Sequence, residues 1–260
     1  MPILSNAKFK IYRSLKQKKS RERELKFLIE GIKFCNEAFN AHIHIDAFLY
    51  YPPVVSDDIA SQFKYLCDQR GIPSFEISSD MVNALSDTVH SQGVFCVAAM
   101  QTNSPDFRHV SFMLAVDSVQ EPGNLGTIIR TADWFGVEAI LLGEGTVDVY
   151  NSKVLRSTMG SLFHLSITTV NLTEALPQLK QLGFETYAAV ARAGHALDDI
   201  QFSNKKILVI GNESQGIRDQ LLHLVDTKLT IPGQGRAESL NVAIASGIIL
   251  NQMAGTNESI

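Results

Sequence analysis

Ile207-Leu-Val-Ile-Gly-Asn-Glu-Ser-Gln-Gly216 decides how the chain is read. Four consecutive aliphatic residues entering a polar turn between two glycines describe a short strand, buried on both faces, that ends in a loop. Gly211 and Gly216 allow positive φ or close backbone approach. Either a flat ligand lying against the main chain or the bare geometry of a strand-turn-helix accounts for them. The strand signature recurs on both sides, at Val110 to Val116, Ala139 to Leu142, Leu165 to Val170, Thr186 to Val190 and Lys228 to Ile231, each set apart by a helical stretch. This alternation predicts an α/β domain with a mostly parallel sheet covered on both faces. Ligands of such sheets bind at the carboxyl ends of the strands. Neither GxGxxG nor GxxxxGK[ST] occurs here, so a dinucleotide or Walker phosphate loop is unsupported.

Two further segments place chemistry at strand ends. Glu121-Pro-Gly-Asn-Leu-Gly-Thr-Ile-Ile-Arg-Thr-Ala-Asp-Trp-Phe-Gly136 follows the strand that ends near Val116. Pro122 and Gly123 read as the turn, Asn124 as the N-cap, and Ile128, Ile129, Ala132 and Phe135 as the core stripe of a helix. Arg130 then lies in the second helical turn, where it either grips a phosphate or carboxylate or forms an ordinary surface ion pair. In Leu229-Thr-Ile-Pro-Gly-Gln-Gly-Arg-Ala-Glu-Ser-Leu-Asn-Val-Ala-Ile-Ala-Ser-Gly-Ile-Ile-Leu250, a strand enters a loop, and Ser239 or Glu238 is expected to open a helix of small residues. Ser239 and Asn241, if buried, need hydrogen-bond partners. An acid, a hydroxyl and an amide at a helix entrance are costly for packing alone, so a ligand or reacting group is the better explanation.

The first hundred residues differ in character. Residues 1–30 hold nine Lys and Arg against three Glu, although the whole 260-residue chain carries a formal net charge of -4. A basic arm on an acidic body suits an end of the chain that meets nucleic-acid phosphate, and equally a solvated surface helix. Ser5 to Lys19 reads as one basic helical arm. Beyond it come the apolar run Phe27 to Ile29, a helix carrying Ile32 to Phe39, the run Ile43 to Tyr51, a helix capped by Ser56, and strands at Ser74 to Ile77 and Val94 to Met100. Alternating helices and strands imply a compact α/β sandwich. The polar stretch Gln101 to Arg108 is the expected linker, which gives a domain at 1–100, a linker at 101–108 and a second domain at 109–260.

Composition excludes several classes. With 45% hydrophobic and 19% charged residues the chain is neither wholly disordered nor a membrane protein. Cys35, Cys67 and Cys96 lack ligand spacing, so reduced, packed thiols are expected, with no disulfide framework and no metal site. No secretory leader and no long apolar span is evident, and a cytoplasmic location without membrane association is expected.

In order and spacing, NxGxxxRTA (Asn124 to Ala132), GNExxG (Gly211 to Gly216) and IPGxGxAESLNVA (Ile231 to Ala243) resemble the signature motifs of the SpoU (TrmH) family of RNA ribose 2'-O-methyltransferases, within the SPOUT superfamily. The likeness runs from Val110 to Gly255 and includes Lys153 to Leu165. Residues 1–100 are similar, more weakly, to the substrate-binding domain of these enzymes, itself like a ribosomal-protein fold. Ser214 stands where many relatives carry Gly, and Glu121 where many carry Asp.

The resemblance implies a C-terminal parallel sheet with a deep trefoil knot, beside a smaller N-terminal α/β RNA-binding domain. It further implies a homodimer and S-adenosylmethionine bent among the knot loops. Those loops run through Ala189, Val190 and Ala191, then from Leu208 through Gly211, Asn212 and Glu213 to Gly216, and through Ile231, Pro232, Ser239, Leu240 and Asn241. Adenine would be read by backbone groups of Ile231 and Leu240, with Gly211 approaching the ligand closely. The implied substrate is RNA, ribosomal by preference and transfer RNA as the alternative, and a non-catalytic assembly factor is the competing class. Arg130 is the residue the family assigns to activating the ribose hydroxyl. Because Arg stays protonated, holding the neighbouring phosphate and stabilising charge on oxygen suits it better than a base role. Asn124 would support Arg130 or the ribose, Glu213 would orient the loop and Arg130, and Ser239 with Asn241 would fix the substrate and cofactor loops.

Overall fold

The computed structural model describes residues 4–101 and 105–255, so the centre of the expected linker, residues 102–104, lies outside the described residues. The chain divides into two compact units. The first comprises Met1–Gln101 together with Tyr150–Phe163, and the second Thr102–Val149 together with His164–Ile260.

The first unit runs α1 (Asn6–Ser14), α2 (Lys18–Glu24), β1 (Lys26–Glu30), α3 (Ile32–Asn40), β2 (Ile45–Tyr50), α4 (Asp57–Arg70), β3 (Ser74–Glu76), α5 (Ser79–Leu85) and β4 (Val94–Ala99). Its sheet has the order β1-β4-β2-β3, with β4 antiparallel to both neighbours and β2 parallel to β3. The expected single basic arm is two helices. Ser5 caps the first, whose Tyr12 is buried and after which Leu15 turns into the core. Arg21 from the second gives Nη1 to the carbonyls of Leu15 at 2.8 Å and Lys16 at 3.0 Å, which satisfies the break between them. One of the nine cations is therefore a buried structural residue.

The insertion of residues 150–163 into this unit was not foreseen. The Tyr150 ring packs, tilted, 4.7 Å from the buried ring of Phe27, Phe163 stacks 5.2 Å from Phe34, and the Tyr150 hydroxyl accepts the backbone N–H of Gln101 at 2.9 Å. Aromatic burial of this kind outweighs nearness in sequence, because each ring removes a large apolar area from water.

The second unit runs β5 (Phe112–Val116), α6 (Pro122–Trp134) and β6 (Ala139–Leu142), passes through α7 (Ser152–Thr158) in the first unit, and resumes with β7 (Ser166–Thr169), α8 (Leu172–Gln181), β8 (Glu185–Ala189), the two-residue β9 (His195–Ala196), β10 (Lys206–Ile210), the short α9 (Asp219–Leu222), β11 (Thr227–Thr230) and α10 (Val242–Ala254). Its seven strands are parallel throughout, in the order β7-β6-β5-β10-β8-β11-β9. The six strands expected from sequence are present; β9 at the edge is the addition. Strands β5, β6 and β10 are buried at every position, as helices on both faces require. One face packs Met113, Ala115, Leu141, Ile207 and Val209 against Leu172, Leu176 and Leu179 of α8. On β10 lies α10, which also packs along α6. The buried ammonium of Lys206, first residue of β10, donates to the Met253 carbonyl at 2.8 Å and ties down the end of that helix.

Strand order reverses between β5 and β10. β6 and β7 lie to one side of β5, and β10 returns to its other side. The crevice at the carboxyl ends of these two strands is where an open parallel sheet places a ligand.

Candidate active site

At the end of β5 the chain turns from apolar to polar at Asp117, which is fully buried. Its carboxylate accepts Arg218 Nε at 2.7 Å and Arg218 N at 2.9 Å, so the buried charge is paired and hydrogen-bonded. Ser118 follows at φ 60, a left-handed backbone unusual for a residue with a side chain. Three contacts hold it there: its N–H donates to Thr146 Oγ1 at 3.1 Å, its Oγ to the Glu144 carbonyl at 2.8 Å, and its carbonyl accepts Asn212 Nδ2 at 2.8 Å. Such clamped strain is a mark of a site where the backbone must point one way.

The helix α6 starts earlier than expected. Glu121 is the N-cap, accepting the Asn124 N–H at 2.7 Å, and Pro122 and Gly123 are already helical. Proline suits the first helical position because its missing N–H would have had no partner. Asn124 is thus not the cap, and its side chain is left to other work.

β10 delivers the Gly211–Gly216 loop. Asn212 and Gly216 exchange backbone hydrogen bonds of 2.9 Å, and Asn212 Oδ1 accepts Ser214 N at 2.9 Å and Gln215 N at 3.1 Å. A Cβ on Gly211 would stand 2.2 Å from the Gly216 carbonyl carbon, so the loop's own backbone, folded back over it, demands this glycine. Gly211→Ala is expected to cost on the order of 3 kcal/mol through forced backbone displacement, measured by denaturant unfolding.

This tight turn aims Glu213 at the start of α6. Its carboxylate accepts Asn124 Nδ2 at 3.0 Å, Glu121 N at 3.3 Å and Gln120 N at 3.4 Å. Partial burial alone would raise its pKa, but the hydrogen bonds from Asn124 and from backbone N–H groups outweigh that and hold it below the ordinary Glu value. Glu213 is an ionised anchor. A depressed folded pKa contributes stability above the unfolded pKa, which is lost as pH falls through the folded value. The difference in thermal midpoint between the wild type and Glu213→Gln should therefore be largest near neutrality and shrink below about pH 4.

Asn241 completes the cluster. It, and not Ser239 or Glu238, caps α10: Asn241 Oδ1 accepts Ala243 N at 2.8 Å and Ile244 N at 3.3 Å. With its oxygen so used, its amide nitrogen is the group that reaches Asn124 Oδ1 at 3.0 Å. Asn124 Nδ2 then faces the acceptor-only carboxylate of Glu213. One directed chain, Asn241 to Asn124 to Glu213, fastens all three sequence motifs together.

The other expected site residues fall as follows. Arg130 lies on α6 about 9 Å further along its axis than Asn124, exposed, with no hydrogen bond or ion pair among the described residues. Glu213 does not touch it, because Asn124 and the backbone take up that carboxylate. Ser239 is exposed and makes no hydrogen bond among the described residues. Ala189 ends β8, Val190 donates its N–H to the Leu229 carbonyl at 2.9 Å, and Ala191 is exposed. Ile231 is half-buried at the end of β11, followed by the exposed run Pro232 to Leu240. Leu208 is fully buried in mid-strand, paired with Leu114 and Tyr187, so it supports the sheet beneath the loops. Because β10, β8 and β11 are neighbours, their three loops leave the same edge side by side. Asp117, Ser118, Thr146 and Arg218 escaped the sequence reading; a lone Asp directly after an apolar strand was the available signal.

Residues 111–251 match the model of the SpoU rRNA methylase family, and residues 6–96 match that of the MRM3-like substrate binding domain. The chain belongs to the SpoU rRNA methylase family. As a SpoU protein it is an RNA methyltransferase, and it is 34% identical to the 23S rRNA (guanosine(2553)-2'-O)-methyltransferase RlmP of Bacillus subtilis, over 96% of this chain and 97% of that one. Among solved structures, the AdoMet-bound rRNA methyltransferase of Sinorhizobium meliloti superposes with a TM-score of 0.86 at 29% identity, covering 100% of this chain and 98% of that one. The SpoU methyltransferase AviRb of Streptomyces viridochromogenes, in complex with AdoMet, gives 0.84 at 26% identity, over 97% and 98% of the two chains. The SpoU match includes residues 150–163, which here belong to the first compact unit. Among the described residues no group of three or more metal-ligating side chains forms, and no helix is long and apolar enough to cross a membrane.

Proposed function

We propose that this SpoU enzyme transfers a methyl group from S-adenosylmethionine to a ribose 2'-hydroxyl of ribosomal RNA, as a cytoplasmic homodimer. The observation that carries the reading is the Asn241–Asn124–Glu213 chain: it gathers the three motif loops at the carboxyl ends of adjacent strands, while Arg130, on the same helix as Asn124, is exposed and has no hydrogen bond or ion pair among the described residues. The names of the Bacillus subtilis relative and of the two AdoMet complexes support the substrate and the cofactor.

The residues present fit that cofactor. The main chain of 232–240 makes no hydrogen bond among the described residues, leaving N–H and C=O groups for a purine edge, and Leu240, 48% exposed, offers apolar surface. Loops 189–191, 211–216 and 231–241 would hold it, and when bound it supplies a methyl carbon activated by a sulfonium. The chain's own residues do the rest. A ribose hydroxyl is a weak nucleophile at neutral pH, so its developing negative charge must be stabilised and its position held. Arg130 is permanently charged and its donors have no partner among the described residues, which suits it to grip the adjoining phosphate and to stabilise the 2'-oxygen as its proton departs. Ser239, on the exposed loop, would with Asn241 fix the substrate and cofactor loops. The return of the chain from β11 to α10, packed along α6, is the passage that would form the knot.

Self-association is assigned to α10. Ile244 and Ile248 lie one turn apart on one face, 56% and 40% exposed, and α6 ends in Trp134 at 84%. This exposed apolar surface supports an interface there. Ile244→Glu is expected to yield monomers by sedimentation and to lose methyl transfer. The cytoplasmic placement rests on Cys35, Cys67 and Cys96, all buried free thiols.

The test is methyl transfer from labelled S-adenosylmethionine to unmodified ribosomal RNA, read by mass spectrometry of digested nucleosides. A 2'-O-methylated nucleoside is the expected product. Methylation of transfer RNA alone would replace the substrate, and cofactor binding without transfer to either RNA would favour an assembly role.

A further inference from the structure

Within the first unit, the turn between α1 and α2, the loop after α5 and the start of α7 enclose a cleft of about 60 Å³ lined by Lys16, Arg21, Glu30, Asp87, Ser152 and Arg156, among others. That space holds a few waters or one tetrahedral oxyanion and is too small for a base or a nucleoside. Most of its charged groups are committed. Glu30 accepts the hydroxyls of Ser86 at 2.5 Å, Thr88 at 2.9 Å and Ser91 at 2.9 Å, and the N–H of Asp87 at 3.2 Å. Lys16 donates to the Ser86 carbonyl at 2.9 Å and pairs with Asp87 at 2.8 Å. Arg21 spans the helix break.

Arg156 is the exception. It is half-buried, feels the charge of Asp87, and its guanidinium has no hydrogen bond among the described residues. Since Lys16 and a hydrogen bond from Ser152 already serve Asp87, the planar fork of Arg156 faces the cleft with its donors unmet. A partly desolvated guanidinium with free donors calls for an oxyanion that accepts bidentately.

We propose that this cleft receives a single phosphodiester group of the substrate RNA, gripped by Arg156, so that residues 150–163 complete the substrate-binding surface of the first unit. The inference rests on the RNA-substrate reading above. Two neighbouring features fit it: Lys18 and Lys19, exposed, open α2 just after the turn that holds Lys16, and loop 86–92, braced by Glu30, presents Val89 at 93% exposure, the profile of a preformed contact loop.

The test compares full-length wild type, Arg156→Gln and Arg156→Lys for binding of an unmodified ribosomal RNA transcript over a range of salt, with S-adenosylmethionine affinity and thermal midpoint measured on each. Arg156→Gln is expected to bind RNA about tenfold more weakly, with the slope of log affinity against log salt reduced by about one, while cofactor affinity and midpoint stay unchanged. Arg156→Lys should keep the slope and recover only part of the affinity. Unchanged RNA binding in Arg156→Gln overturns the proposal, as does a loss accompanied by a fall in thermal midpoint that Arg156→Lys reverses without restoring the salt slope. Inorganic phosphate is titrated in parallel: phosphate binding that depends on Arg156, with RNA binding independent of it, assigns the cleft to free phosphate and overturns the RNA source. If the wild type binds cofactor but no RNA, the substrate reading itself has failed.

Discussion

Arg130→Ala should lower methyl transfer by about 10²- to 10³-fold, the usual loss when one donor to a developing oxyanion is removed, while S-adenosylmethionine affinity and thermal midpoint stay at wild-type values. The structure makes the second half of this result as telling as the first. Arg130 is exposed and bonded to nothing among the described residues, so removing it breaks no fold contact, and surface changes of that kind fall within about 0.5 kcal/mol. Arg130→Lys should restore little, because one compact ammonium cannot hold phosphate and ribose oxygen together. Single-turnover methylation alongside calorimetric titration of the cofactor separates the two effects. Full turnover in Arg130→Ala would remove this residue from the chemistry.

Asn124 behaves oppositely, since both its side-chain oxygen and its side-chain nitrogen are hydrogen-bonded. Asn124→Ala strips Glu213 of its side-chain donor and Asn241 of its acceptor, at a cost of about 1–3 kcal/mol. All three loops loosen together, so cofactor affinity and turnover fall in parallel. Asn124→Asp is the sharper variant. It still accepts from Asn241 but sets a second carboxylate against Glu213, so near neutral pH it should be less stable than Asn124→Ala. Below about pH 5 one carboxyl protonates, can donate to the other, and the order of stability should reverse. Melting of both variants from pH 4 to pH 8 checks this; an Asp variant as stable as wild type at pH 7 would show that the chain of three side chains does not operate.

The strands of the second unit were legible because each is a short aliphatic run between helical stretches, and period and length leave few alternatives. The helix starts were less so. Glu121 and Asn124 are both competent caps three residues apart, and only the folded loop, which delivers Glu213 to Asn124, decides that Glu121 takes the backbone N–H. Ser239 and Asn241 pose the same ambiguity, resolved by the need of Asn124 for a donor. Charge counting placed nine cations on an arm, but burial of Arg21 depends on a helix break that no local pattern announces. The Asp117–Arg218 pair joins residues 101 positions apart, beyond any motif spacing.

The aromatic wedge of Tyr150 and Phe163 bears on how the protein is made. At synthesis rates of about 5–20 residues per second, the first unit's strands emerge several seconds before the segment that packs against Phe27 and Phe34. During that interval two phenylalanines on a nascent polypeptide lack their partners. The first unit therefore finishes folding only after two strands of the other have been translated, and a graft that transplants residues 1–101 alone would carry an unfilled aromatic socket into its new host.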